Sequence, residues 1–158
     1  MLSKLGKLVL CIVLCEAVGL VGGLITAPEI TTWYAGLAKP WWTPPNGVFP
    51  YVWSTLYALM AIALWLLWDR AQPGRLRTLA IGLFFVQLAL NAAWSPVFFG
   101  LHATRAALAV IALLFVVLLA TILAAARVNQ PAALLLVPYA IWIGYAATLN
   151  GGIVALNA

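Results

Sequence analysis

The sequence predicts an all-α integral membrane protein: one domain over residues 1–158, with five transmembrane helices and an ordered Trp- and Pro-rich loop between the first two. Three observations carry that reading. The 158-residue chain is 66% hydrophobic and 7% charged, with a mean hydropathy of +1.12, whereas a soluble domain is about a quarter charged and roughly half apolar. Apolar surface on this scale cannot be hidden in one small core, so lipid is the solvent. The apolar runs are also unbroken and much longer than the roughly ten-residue alternating strands of a barrel, which leaves helices to satisfy the backbone. Finally, the stretch 33–57, WYAGLAKPWWTPPNGVFPYVWSTLY, holds four of the eight tryptophans, four of the nine prolines and one charge, Lys39. Each proline lacks an N–H and clashes with the preceding turn, so this is not a continuous helix. Its aromatic load exceeds that of a mere connector, and it reads as an ordered lid anchored by Trp and Tyr at the membrane interface.

About twenty apolar residues cross a bilayer as a helix, and five segments qualify. The first, 5–27, follows Lys4 and Lys7 as a signal peptide would, but its apolar stretch is too long for one and Glu16 interrupts it. It is read as a mature helix, in which Gly19 and Gly23 form a GxxxG step suited to close backbone approach. Cys11 and Cys15 lie one turn apart in it, where a disulfide is geometrically unfavourable and two thiols make a poor metal site. The lid covers 28–47. The second span is 48–68, and the third is 76–99, broken near its end by Pro96. The fourth is 103–126, with an Ala-rich start (Ala103, Ala106, Ala107, Ala109) that permits close packing; Ala103, Ala107 and the rest of the third and fourth spans offer small-residue faces for a dimer. A tight connection, 127–131, leads to the fifth, 132–155, which contains Pro138.

The formal charge of +5 is scattered over span ends rather than gathered in a stripe, which excludes nucleic-acid binding and points to topology. Lys4, Lys7, Arg70, Arg75, Arg77 and Arg127 fall on one side, Lys39 and Arg105 on the other. By the positive-inside rule the N-terminus is cytoplasmic in a plasma membrane, and the lid lies on the opposite face.

Polar groups inside the spans are the informative ones, because each costs free energy without a partner. Gln87, Asn91 and Ser95 recur every four residues on one face of the third span, with Trp94 beside them. The second span contributes Trp53, Ser54 and Tyr57 near its lid end. The fifth contributes Tyr139, Trp142, Tyr145, Thr148 and Asn150. Taken singly, these residues suit interhelical hydrogen bonds and an interfacial aromatic belt. Together, beneath a proline-rich lid, they describe an apolar cavity with a few fixed polar groups, suited to a large planar ligand. Glu16 is the only acid within these spans and raises a further reading, a proton-coupled small-molecule exporter, ranked behind the others because a relay needs more ionisable groups along a path. His102, in the link 100–102, is the one histidine available as an axial haem ligand. No Ser/His/Asp set, Cys/His pair, metal cluster or phosphate-binding glycine loop can be assembled, and no cofactor is required.

Four blocks in order, WYAGLAKPWWTPP (33–45), FPYVWSTLYALM (49–60), QLALNAAWSPVFFG (87–100) and PYAIWIGYAATLN (138–150), resemble the translocator protein family. Its members are also called tryptophan-rich sensory proteins or peripheral-type benzodiazepine receptors. The resemblance covers nearly the whole chain and suggests a bacterial member. It implies a five-helix bundle, usually a homodimer in a cell membrane, with a pocket closed by the first loop. Porphyrins such as protoporphyrin IX and haem, and benzodiazepine-site ligands, are the ligands it implies, in sensing or transport. The pocket residues it implies are Trp33, Tyr34, Trp53, Tyr57, Asn91, Trp94 and Trp142, with Ala146 and Leu149 packed close by. Light-dependent degradation of protoporphyrin, reported for some bacterial members, would use Trp53 and Trp142 as the catalytic pair. One departure concerns sterols: after the TLN motif this chain reads Gly151-Gly152-Ile153-Val154-Ala155, lacking the aromatic and basic residues proposed to read cholesterol in animal members.

Overall fold

A computed structural model of the chain describes residues 3–158. Five helices run α1 (Lys4–Ile30), α2 (Val48–Trp65), α3 (Arg75–Ser95), α4 (Thr104–Ala126) and α5 (Gln130–Leu156). All five are long and apolar enough to cross a membrane, and no strand occurs among the described residues. Each helix packs against two neighbours in the cyclic order α1–α2–α5–α4–α3. The interior of that ring is filled by large side chains with almost no exposure, among them Met60, Phe84, Leu118, Leu136, Tyr139 and Ile143. α1 is the least covered helix and leaves Leu5, Val9, Val13, Leu20 and Leu24 facing outward, as a lipid-facing span requires.

Helix ends explain where the spans stop. α1 begins at Ser3, whose hydroxyl accepts the Gly6 N–H at 3.0 Å. It continues through Pro28 to Ile30, so the loop starts at residue 31 rather than 28. Pro28 lies in the last turn, and the Thr32 hydroxyl donates to its carbonyl at 2.9 Å. α2 widens into a π turn, Leu66–Arg70, closed by the Ala71 N–H on the Leu66 carbonyl at 3.0 Å. Arg77 of α3 donates to the carbonyls of Leu67 and Trp68 at 3.0 and 2.6 Å, taking up end groups the helix cannot satisfy itself. α3 widens likewise over Pro96–Gly100, where the missing proline N–H breaks the regular ladder. α5 begins at Gln130, earlier than 132, because Pro131 in a first turn loses no hydrogen bond and Asn129 Oδ1 accepts the Ala132 N–H at 3.0 Å. Pro138 is accommodated inside the same helix.

The two glycines of the GxxxG step behave differently. A Cβ on Gly19 would lie 2.5 Å from the Tyr57 ring, whereas one on Gly23 would meet nothing within 4 Å. Gly19 therefore seats an aromatic side chain of α2, not a second helix backbone. Ala107 is fully buried within its own chain, so it is unavailable as a dimer face, while Ala106 stays exposed.

The loop 31–47 contains one short 3₁₀ turn, Tyr34–Gly36, and lies along the end of α5. The Asn157 carboxamide pairs with both backbone groups of Ala38, accepting its N–H at 3.0 Å and donating to its carbonyl at 2.9 Å. Pro40 is buried against the backbone of Gly152, where any Cβ would overlap its ring. The Tyr145 hydroxyl donates to the Trp42 carbonyl at 2.7 Å. Three separate points on one helix thus fasten the loop.

Gly152→Ala should loosen the loop, because overpacking of this kind costs about 1–3 kcal/mol. Chymotryptic cleavage after Trp42 should then rise roughly fivefold or more through local opening, with helicity unchanged. Gly151→Ala, whose Cβ would meet only Leu108 at an ordinary 3.9 Å, should cleave as wild type does. Equal rates for the two variants would show that the Pro40–Gly152 contact does not hold the loop.

Candidate functional site

Asn91 sits on α3, which packs against α1 and α4, yet its carboxamide crosses the interior to the other two helices. Tyr57 of α2 donates to Asn91 Oδ1 at 2.6 Å, and Asn91 Nδ2 donates to the Tyr139 hydroxyl of α5 at 2.8 Å. All three residues are buried. A carboxamide in an apolar interior is stable only when paired, and here one group ties three helices together.

Trp53, one turn before Tyr57, stacks on its ring at 5.5 Å and meets Tyr139 edge-on at 6.2 Å. Phe49, a further turn back, meets Trp142 edge-on at 5.8 Å, and Trp142 leans on Tyr145 at 5.4 Å. Two aromatic groups, Trp53 with Tyr57 and Tyr139, and Trp142 with Phe49 and Tyr145, therefore line the α2–α5 seam. Trp142 Nε1 is buried without a hydrogen-bond partner. A buried N–H with no acceptor is rare in native structures, so this indole is a buried donor left for another molecule.

Trp33, Tyr34 and Trp94 belong to a second cluster, at the base of the loop. Trp94 stacks on Phe98 at 4.8 Å, and its indole donates to Asn150 Oδ1 at 3.1 Å, while Asn150 Nδ2 donates to the Thr104 carbonyl at 2.9 Å. Trp33 meets Phe98 edge-on at 5.6 Å, and Tyr34 lies against Phe99 at 5.6 Å. Burial pushes the Tyr34 phenol upward, so it stays protonated. Trp94 also packs against the main hydrophobic core of the bundle. Ala146 and Leu149 lie one and two turns beyond Trp142 on α5, half-buried and buried respectively.

Several sequence expectations shift. Lys39 turns back onto its own loop. Its ammonium lies 3.0 Å from the Leu37 carbonyl and 4.6 Å over the Tyr34 ring. His102 does not face the seam. It adopts a positive φ of 54°, stacks on Trp33 at 4.1 Å and places Nε2 3.0 Å from Glu29 Oε2. The ring is thus engaged away from any haem position beside Trp53 and Trp142. Gln87 shares the Asn91 face and is fully buried, but neither of its amide atoms bonds to protein. Glu16 is half-buried on α1, and no cluster of three His, Cys, Asp or Glu occurs among the described residues. The sequence reading overlooked Phe49, although its four-residue spacing from Trp53 signalled a shared face. It also overlooked Asn157, a single amide at a helix end with no periodic signal.

Comparison with known proteins follows the same architecture. Residues 11–156 match the model of the TspO/MBR family. A tryptophan-rich protein TspO from Chlorobaculum tepidum is 42% identical over 150 residues, covering 95% of each chain. A tryptophan-rich sensory protein from Cereibacter sphaeroides is 38% identical, covering 90% of this chain and 86% of the other. The Homo sapiens translocator protein is 40% identical over 131 residues, covering 82% of this chain and 78% of the other.

Asn91→Leu removes both interhelical bonds and should lower stability by about 1–2 kcal/mol, given roughly 0.6 and at most about 1.7 kcal/mol for a single such bond in a membrane. Tyr57→Phe should cost less, and the double variant should cost less than the sum, because both changes break one bond. Thermal unfolding in detergent is the measurement. Strict additivity would mean that the two residues do not share the bond.

Proposed function

The chain belongs to the TspO/MBR family of multi-pass membrane proteins, and from that premise we propose that it is a receptor of the sensing or transport kind for flat aromatic ligands. Tetrapyrroles such as protoporphyrin IX are the first choice, with synthetic benzodiazepine-site ligands sharing the site. The observation that carries the reading is the aromatic seam of Phe49, Trp53, Trp142 and Tyr145 with one unspent buried donor, Trp142 Nε1. Ring faces and edges take up a macrocycle by offset or edge contacts, while the indole N–H suits a carbonyl or carboxylate at its rim. Asn91 fixes Tyr57 and so the ring on which Trp53 rests. Trp33, Tyr34 and Trp94 form the base on which the loop closes, with Ala146 and Leu149 completing the α5 wall.

The residues fit the organic ring better than a coordinated iron, since His102 is held by Glu29 and Trp33, and the thiols of Cys11 and Cys15 lie on the N-terminal half of α1. The rings pack on one another beneath the fastened loop, so ligand entry requires the loop to release from α5. The proposed orientation is N-terminus in the cytoplasm and loop outside, and the proposed assembly is a homodimer in a bacterial cell membrane.

A second reading, light-dependent degradation of protoporphyrin, draws support from the contacts of Trp53 with Tyr57 and of Trp142 with Tyr145. The porphyrin would supply light absorption; the chain would supply oxidisable indoles held in a water-poor seam. A proton-coupled exporter built on Glu16 draws no comparable support, because among the described residues its carboxylate makes no hydrogen bond or ion pair with another side chain.

Trp53→Phe and Trp142→Phe should each weaken protoporphyrin binding, read as quenching of the remaining tryptophan fluorescence, roughly five- to tenfold for loss of one ring contact or donor. Folded variants that bind as tightly as wild type would remove the seam as the site. Illumination with protoporphyrin under oxygen separates the two readings. A defined product whose yield falls in both variants supports degradation, and bleaching at the rate of free porphyrin rejects it.

A further inference from the structure

At the opposite end of the bundle from the loop, α1, α2 and α3 leave a groove of about 470 Å³. Leu10 and Leu14 form one wall, Ile81 and Phe85 the other, and Trp68 and Arg77 stand at its mouth. Leu10 and Phe85 are about half exposed, so the groove opens sideways, where the spans face lipid. Arg77, Ile81 and Phe85 recur every four residues and form one stripe along α3, roughly 12 Å long. That length approaches the hydrocarbon depth of one leaflet, about 15 Å.

The mouth is cationic. Arg77 spends two of its five N–H groups on the carbonyls of Leu67 and Trp68, which leaves three. Lys7 lies 5.6 Å over the Trp68 ring, and Arg70 lies 5.3 Å over that of Trp65. Lys4 and Arg75 occupy the same end, and Asp69, paired with Lys7 at 2.8 Å, is the acid set against them. An apolar slot that ends in excess positive charge at the edge of a span matches a molecule with a hydrocarbon tail and an anionic head.

We propose that this groove binds an anionic phospholipid, with one acyl chain between Leu10–Leu14 and Ile81–Phe85 and the phosphate at Arg77. A basic pocket between transmembrane helices is a recurrent lipid headgroup site, and here the tail slot continues directly from it. A second copy of the chain fits less well. Two copies inserted the same way would set identical basic ends side by side. A zwitterionic lipid would fill the slot but leave the excess charge unmet. The proposal does not depend on what the loop-side seam binds.

Native mass spectrometry of the detergent-solubilised protein, titrated with phosphatidylglycerol and phosphatidylcholine of equal chain length, tests it. Phosphatidylglycerol should bind at least about fivefold more tightly, the preference expected when one basic side chain meets a headgroup of net negative charge rather than a zwitterion. Arg77→Gln should remove that preference. Because Arg77 also holds the end of α2, Ile81→Trp provides a second variant, which fills the slot and keeps every charge. Ile81→Trp with wild-type thermal stability should lose the tightly bound phosphatidylglycerol. Equal binding of the two lipids, or undiminished preference in Ile81→Trp, overturns the proposal. So does efficient disulfide cross-linking of Phe85→Cys between copies in membranes, which would make the groove a protein interface.

Discussion

The Asn91 carboxamide is the constraint on which the loop side of the bundle depends. In lipid no water stands ready to replace a broken hydrogen bond, so a buried amide on α3 must find its partners on other helices. It finds the Tyr57 hydroxyl as donor and the Tyr139 hydroxyl as acceptor. Those two bonds fix both phenol rings, and Trp53 is placed by contact with both. Gly19 completes the arrangement from the outside, because only a residue without a Cβ lets α1 close over the Tyr57 ring. The position of one tryptophan thus follows from one amide and one glycine on helices that do not carry it.

The loop solves the same problem by other means. Irregular backbone near lipid must be satisfied by protein, and this segment uses α5 as its partner. Asn157 offers Ala38 an acceptor and a donor together, as a neighbouring strand would. Tyr145 takes the Trp42 carbonyl, and within the loop the Thr43 hydroxyl and N–H both reach the Pro40 carbonyl at 2.7 and 3.0 Å. Tyr145 is also the ring against which Trp142 leans. Cover and wall therefore meet on one side chain, and a ligand that displaces Trp142 acts directly on a residue that holds the cover shut.

The bundle was legible in the sequence because lipid imposes a simple rule, a run of about twenty apolar residues for each crossing. The interior face of α3 was legible too, since Asn91 stands out at the four-residue spacing that helices dictate. Span ends were less so. Pro28, Pro96 and Pro131 look alike as helix breakers, but one is accommodated in a last turn, one widens a helix and one opens a first turn. What separates them is the set of partners around each carbonyl, as with the Thr32 hydroxyl on the Pro28 carbonyl, and sequence spacing does not encode it. Asn157 and Gly152 were illegible for a related reason. Their roles come from residues more than a hundred positions away, Ala38 and Pro40. The pairing of Glu29 with His102 is another contact of this kind, and it turned a candidate metal ligand into part of the loop's anchorage.

Eight tryptophans are equivalent in a composition, and their neighbours make them different. Trp65 and Trp94 commit their indole N–H groups to the Lys4 carbonyl and to Asn150, which makes them fasteners of α1 to α2 and of α3 to α5. Trp33 is committed through its face, stacked on His102. Trp68 lies beneath Lys7 at the far end, and Trp41 is 91% exposed, in keeping with an interfacial anchor. Trp53 is held by rings alone, and Trp142 by rings with its N–H unspent. A residue already bonded to the scaffold gives up that bond to meet a ligand, whereas one with an unpaired buried donor gains by the meeting. On that energetic ground, rather than on conspicuousness in the sequence, Trp142, with Trp53 on the facing helix, is the part of the aromatic set that suits the proposed recognition role best.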